Sequence, residues 1–174
     1  MHYVGLSCRC LVGVVFLISF ASKITPTSFG AFVASLKAMR ILPERLVRAS
    51  ALGVVCAEFA VFALLTWTSS ARAGALLAAV LVGVFSAAIA VALVGKTAAP
   101  CRCFGPVGGQ LGVRHIARNA LLLLAACVVA RHGAIPPAEP AVAVAAAGAG
   151  VVGALLLIGF DLVVELFGPS RSAA

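Results

Sequence analysis

The chain has 174 residues, 63% of them hydrophobic and 10% charged, with a mean hydropathy of +1.19. That composition excludes a water-soluble globule, because too few polar side chains are available to cover its outside, so the outside must face lipid. The net charge of +8 is carried by Lys and Arg placed between apolar runs, as in residues that anchor spans against anionic headgroups; this argues for the lipid bilayer as partner and against nucleic acid.

In chain order, the first apolar run, Cys10 to Ser22 between Arg9 and Lys23, is short for a bilayer and spans it if residues 3–22 are helical throughout. The same run has a second reading as a secretory signal, with small residues at Ser19 and Ala21 ahead of a cut. Thr25-Pro26 reads as an N-cap followed by proline at the first helical position. Phe29, Phe32, Val33 and Leu36 then share one face, with Ser35, Lys37 and Arg40 elsewhere, which predicts an amphipathic interfacial helix over 26–41, stopped before Pro43.

Uncharged or nearly uncharged runs predict spans at 49–71, where Glu58 is the only charge, and at 73–95. A further span is expected at 113–131, where Arg114 and Arg118 must snorkel or face the bundle interior. After a Pro-rich turn ending at Pro140, a last span covers 140–165, and its Ala146, Gly150 and Ala154 stand in small-xxx-small register for close helix packing. Asp161 and Glu165 read as an interfacial polar face. The expected fold is an all-α integral membrane protein in one membrane domain, 1–174: a bundle of about five transmembrane helices, a four-helix core plus a C-terminal span, multi-pass in the inner (cytoplasmic) membrane.

Six cysteines occur, and two pairs share Cys-x-Cys spacing at opposite ends of the expected bundle: Cys8/Cys10 and Cys101/Cys103. Cys56 and Cys127 fall inside spans and read as small buried hydrophobes. Cys101 and Cys103 stand in a loop with Pro100, Gly105 and Pro106, where a hydrophobe has nothing to pack into. A disulfide across one residue closes a very small ring, far from relaxed geometry, so it suits exchange better than stapling. Arg102 between the sulfurs, with Arg114 and Arg118 following, favours the attacking thiolate. Gly105, Gly108 and Gly109 leave room for a partner or a quinone to come close.

Metal binding by two thiolates is the rival reading, but a closed zinc site wants four ligands, and His115 is the only nearby imidazole. No metal is therefore expected, and a quinone is the single cofactor candidate. Cys8 and Cys10 are either a second redox pair or interfacial residues. Glu58, an acid inside a span, is either a proton-handling group beside a disulfide or quinone, or half of an ion pair with Arg114, Arg118 or Lys23.

The order of a span carrying Val15-Phe16-Leu17 and Ser22-Lys23, a Phe-containing amphipathic stretch, Leu42-Pro43, a span with Glu58, and Cys101-x-Cys103-Phe104-Gly105 before another span resembles the methylamine-utilisation MauE family, relatives of the DoxX-like membrane proteins. The resemblance covers roughly residues 9–131, and Cys-x-Cys-Phe-Gly is its specific element. It implies a small membrane protein that works with a thioredoxin-like partner in disulfide formation or protein maturation, with Cys101, Cys103, Phe104, Gly105, Glu58 and Lys23 carried over. Cys8/Cys10 has no counterpart in that pattern. The order of elements is also similar to vitamin K epoxide reductase, which has Cys-x-x-Cys, so quinone use enters by analogy only.

The expected function is thiol–disulfide exchange at Cys101 and Cys103, assisted by Arg102 and Glu58 and joined by Cys8 and Cys10; the alternative is a non-catalytic assembly subunit or a soft-metal carrier. Of the 13 Lys and Arg, Arg9, Arg72 and Arg131 fall on the N-terminal face and the rest on the face of the Cys101 loop. The positive-inside rule places that loop in the cytoplasm, whereas disulfide formation favours the outside.

Overall fold

The computed structural model describes residues 2–39, 43–95, 100–101, 109–110, 113–132 and 139–167, with side chains described over 3–39, 43–95, 115–132 and 139–159. Among the described residues six helices occur in the order α1 (His2–Ala21), α2 (Pro26–Ala38), α3 (Glu44–Thr66), α4 (Ala71–Val94), α5 (Val113–His132) and α6 (Pro140–Phe167). Two short strands, β1 (Pro100–Cys101) and β2 (Gly109–Gln110), lie between α4 and α5.

Helices α1, α3, α4 and α6 are long and apolar enough to cross a membrane. Helix α5 carries Arg114, Arg118 and Arg131 and is less apolar, yet it packs along the length of α4. Asn119 near one end of α5 reaches Ser86, and Ala130 near the other accepts from Arg72 at the start of α4. Its depth in the bundle is therefore that of a span. The second span occupies Glu44–Thr66 rather than 49–71, because the helix starts directly after Pro43 and takes Arg45 and Arg48 into its first turns, where long basic side chains can snorkel.

The four-helix core is a ring in which α1 packs on α3 and α5, and α4 packs on α3 and α5, while α6 lies against the outer side of α1. Val12, Val15 and Phe16 of α1 meet Val61 and Leu65 of α3, Ala75, Ala78, Val82 and Phe85 of α4, and Leu122, Ala126 and Val129 of α5. On α4 the buried positions Ala71, Ala75, Ala78, Val82, Phe85, Ile89 and Ala92 recur every three or four residues, and Leu76, Val80, Val84 and Val91 face outward. Lipid is as apolar as these side chains, so helix association rests on fit rather than on hydrophobic transfer.

That fit is closest where small residues meet. On α6, Ala146 and Ala154 are buried, and a Cβ placed on Gly150 would stand 2.8 Å from Cβ of Cys10 and overlap the backbone carbonyl of Ser7. Ser7 Oγ donates to the Ala146 carbonyl (2.8 Å) and fixes the register of α6 on α1. At the N-terminal face two arginines cap helix ends. Arg9 donates through its guanidinium to the carbonyls of Leu65 and Thr66 at the end of α3, and Arg72 Nε donates to that of Ala130 near the end of α5 (3.0 Å). Each cation satisfies terminal carbonyls and opposes the negative end of the helix dipole.

Candidate functional site

Helix α2 begins as its sequence dictates: the Thr25 side chain accepts from the Ser28 backbone N–H (3.3 Å), and Pro26 occupies the first turn. It ends at Ala38, short of the expected 41, and it turns Phe32, Ser35 and Met39 inward, with Phe29, Val33 and Leu36 half-buried. Ser35 thus belongs to the covered face, contrary to the sequence reading, because α2 packs on α3 through that side. The candidate site is built at the hairpin end of α1.

There Glu58 of α3 is fully buried, and it pairs with Lys23, which lies just past the end of α1 and is 3% exposed. Lys23 Nζ donates to Glu58 Oε1 (2.9 Å) and Oε2 (3.1 Å), and also to the carbonyl (3.1 Å) and Oγ (2.7 Å) of Ser19. Ser19 Oγ donates to Glu58 Oε1 (2.8 Å), and the Phe32 ring covers the ammonium at 5.2 Å from its centroid. Of the three ion-pair partners considered for Glu58, Lys23 is the one shown among the described residues, the side chain of Arg114 lying outside them. Burying two charges is tolerable only with this degree of hydrogen bonding and mutual attraction.

A second polar ladder descends from the hairpin along α5. His115 and, one turn further, Asn119 are both buried, and Asn119 Nδ2 donates to Ser86 Oγ (3.1 Å), which in turn donates to the Val82 carbonyl (2.7 Å). Asn119 Oδ1 is buried among the described residues with no donor.

The Cys101 loop is flanked by an antiparallel pairing of β1 with β2, in register Pro100↔Gln110 and Cys101↔Gly109. Strand β1 also runs beside α2, so Cys101 and the roof of the Lys23–Glu58 site belong to the same end of the molecule. Arg102, Cys103, Phe104, Gly105 and Gly108 lie outside the described residues, as does the side chain of Arg114. So do the side chains of Asp161 and Glu165.

Cys8 and Cys10 are half-buried in α1 at the opposite face. Residues two apart on a helix point to different sides. Cys10 meets Gly150 of α6, whereas Cys8 lines a groove between α1, α5 and α6. A bond between them requires α1 to unwind. Cys56 and Cys127 are exposed on the outer surface of their helices, so they are not the buried filler expected from sequence.

Residues 1–132 match the family described as Methylamine utilisation protein MauE. The chain belongs to that family. No curated protein and no solved structure matches it. Membership of the MauE family, four apolar spanning helices and the bundle itself make this a multi-pass membrane protein of a methylamine-utilisation family.

Sequence reasoning missed Ser19 and Phe32 as site residues. The signal was present in part. Ser19 lies four residues before Lys23 and so shares its helix face, but only the packing of α1 on α3 tells which acid they meet.

Proposed function

We propose that this MauE-family chain is a thiol–disulfide oxidoreductase of the inner (cytoplasmic) membrane that exchanges electrons with a thioredoxin-like partner through Cys101 and Cys103, supporting disulfide formation or maturation of another protein. The observation that carries this reading is the strand pairing that ties Cys101 to Gly109 beside α2, at the end of the bundle where the buried Lys23–Glu58 pair lies. The backbone pairing at Cys101 supports the reading by fixing the end of the bundle from which a protein partner would approach.

In the exchange step a thiolate of the reduced partner attacks the Cys101–Cys103 disulfide, and a mixed disulfide forms. The second thiol of the partner resolves it. The partner leaves oxidised, and two electrons and two protons remain on Cys101 and Cys103. Arg102 favours the thiolate form, and the Lys23–Glu58–Ser19 cluster handles protons at the same end of the bundle. Cys8 and Cys10 would join onward transfer as a second redox pair only as one disulfide, whose reduction takes up the two electrons and two protons, and because they diverge on α1 that bond needs the helix to unwind there.

The test is capture. In a Cys101→Ser chain, Cys103 is expected to hold a thioredoxin-like partner in a mixed disulfide that a reductant releases and that the Cys101→Ser/Cys103→Ser chain lacks. If the doubly substituted chain supports partner maturation as well as the natural sequence does, the protein is a non-catalytic assembly subunit instead.

A further inference from the structure

Helix α2 packs on α3 and runs beside β1, while Thr27, Gly30, Ala34 and Lys37 on its outer side are exposed. Its last turn is tied to the start of α3 by the exposed Lys37–Glu44 pair (2.8 Å), a contact worth little in water. Its inner side does more. The Phe32 ring, 1% exposed, stands over the Lys23 ammonium, a cation–π contact that is strongest where water is kept away, and Ser35 and Met39 are buried on the same side. One element therefore covers the buried ion pair and also lies against the strand that carries Cys101.

That strand is sensitive to the state of its thiol. Cys101 ends β1, and Cys103 follows two residues on. Extended backbone advances about 3.3 Å per residue, so Cα atoms two apart stand about 6.6 Å from each other with their side chains on one face. A disulfide draws the Cβ atoms to about 3.8 Å. The Cys101–Cys103 bond thus closes only if the chain bends where β1 ends, and breaking the bond releases the bend.

We propose that α2 is a redox-linked lid on the Lys23–Glu58 pair, seated when Cys101 and Cys103 are thiols and displaced when they are joined. This rests on the thiol–disulfide reading and adds a regulation of the same site. When a dithiol partner reduces the Cys101–Cys103 disulfide, the S–S bond breaks, two electrons and two protons pass to the two sulfurs, and the partner leaves with its own disulfide. The chain at Cys101 then lies extended in its pairing with Gly109, and Phe32 closes over Lys23. In the disulfide state the bend at the end of β1 pushes α2 aside, Phe32 lifts, and water reaches the ion pair. The lid keeps the protons of the cluster from water while the sulfurs hold their electrons.

The experiment follows backbone hydrogen exchange in the full chain in detergent, either oxidised with diamide, which takes up the two electrons and two protons, or reduced with dithiothreitol, a dithiol that stands for the partner. Amides of residues 26–39 are expected to exchange about tenfold more slowly in the reduced chain, with those in the middle of α4 unchanged. In a Cys101→Ser/Cys103→Ser chain, which keeps Cys8, Cys10, Cys56 and Cys127, the two treatments are expected to give equal α2 rates. In Phe32→Ala, α2 of the reduced chain is expected to exchange as fast as that of the oxidised one, because the contact that seats the helix is gone.

Equal α2 rates in the two states of the natural sequence, with the Cys101–Cys103 bond shown by peptide mass, overturn the lid and leave the exchange reading standing. A difference that persists in the doubly substituted chain, or in full in Phe32→Ala, also overturns it, since the switch then does not run from this thiol pair to this cation. A chain in which diamide makes no Cys101–Cys103 bond refutes the exchange reading and removes the trigger of the lid with it.

Discussion

Lys23 and Glu58 hold each other in place at the cost of desolvating two charges, and the balance between those effects is measurable. Removing one partner leaves a buried charge without its counterion, so Lys23→Met or Glu58→Leu should destabilise the protein by about 3–5 kcal/mol. Removing both should recover most of that, because Met and Leu fill similar space without needing partners. Thermal unfolding in detergent checks this, and a double variant as unstable as either single one would show that Ser19 and Phe32, rather than the charge pair, hold the site. If the cluster also handles protons, the refolded double variant exchanges thiols more slowly than the natural chain. The pairing itself was only partly legible in the sequence. Glu58 stood out as an acid within a span, but Arg114, Arg118 and Lys23 were equal candidates, because partner choice across 35 residues depends on how α1 rotates against α3.

At the scale of elements, α6 owes its position to the absence of side chains. Gly150 lets the backbone of α1 approach so closely that a methyl group there would overlap the Ser7 carbonyl, and the nearest alternative space is taken by Cys10. Gly150→Leu should therefore lever α6 away from α1. The expected sign is a loss of several kcal/mol of stability together with faster proteolysis in the 133–139 connection, whereas Gly148→Leu, where nothing lies within 4 Å, should change little. Equal effects at the two positions would mean that α6 does not pack on α1 as described. This stripe was readable in advance because Ala146, Gly150 and Ala154 are a local pattern. The start of α3 was not: the span was expected from 49, yet Pro43 sets the helix start, and the long basic side chains of Arg45 and Arg48 extend past an interface without ending a helix. Likewise the burial of Ser35 followed from what lies beneath α2, which no helical wheel reports.

At the scale of the whole molecule, the two ends differ in what their cations do. On the N-terminal face Arg9 and Arg72 donate to the carbonyl ends of α3 and α5, and Arg131 is exposed. On the hairpin face, Lys37, Arg45 and Arg48 are exposed, and the exposed Lys37–Glu44 pair (2.8 Å) holds its lysine only weakly. Lys23 at that end is cancelled by Glu58, so the asymmetry rests on the count of basic residues, three against ten, and it predicts a cytoplasmic hairpin face. In a chain without native cysteines, Ser69→Cys, in the exposed turn between α3 and α4, should react with an impermeant maleimide on intact cells. Thr27→Cys, exposed near the start of α2, should react only after permeabilisation. The reverse pattern would put Cys101 outside, where thiols stay oxidised, and would make disulfide formation in exported proteins the direction of electron flow. The expected pattern instead puts the hairpin on the side from which a cytoplasmic thioredoxin-like donor of the proposed exchange would reach it, with Cys8 and Cys10 toward the opposite side.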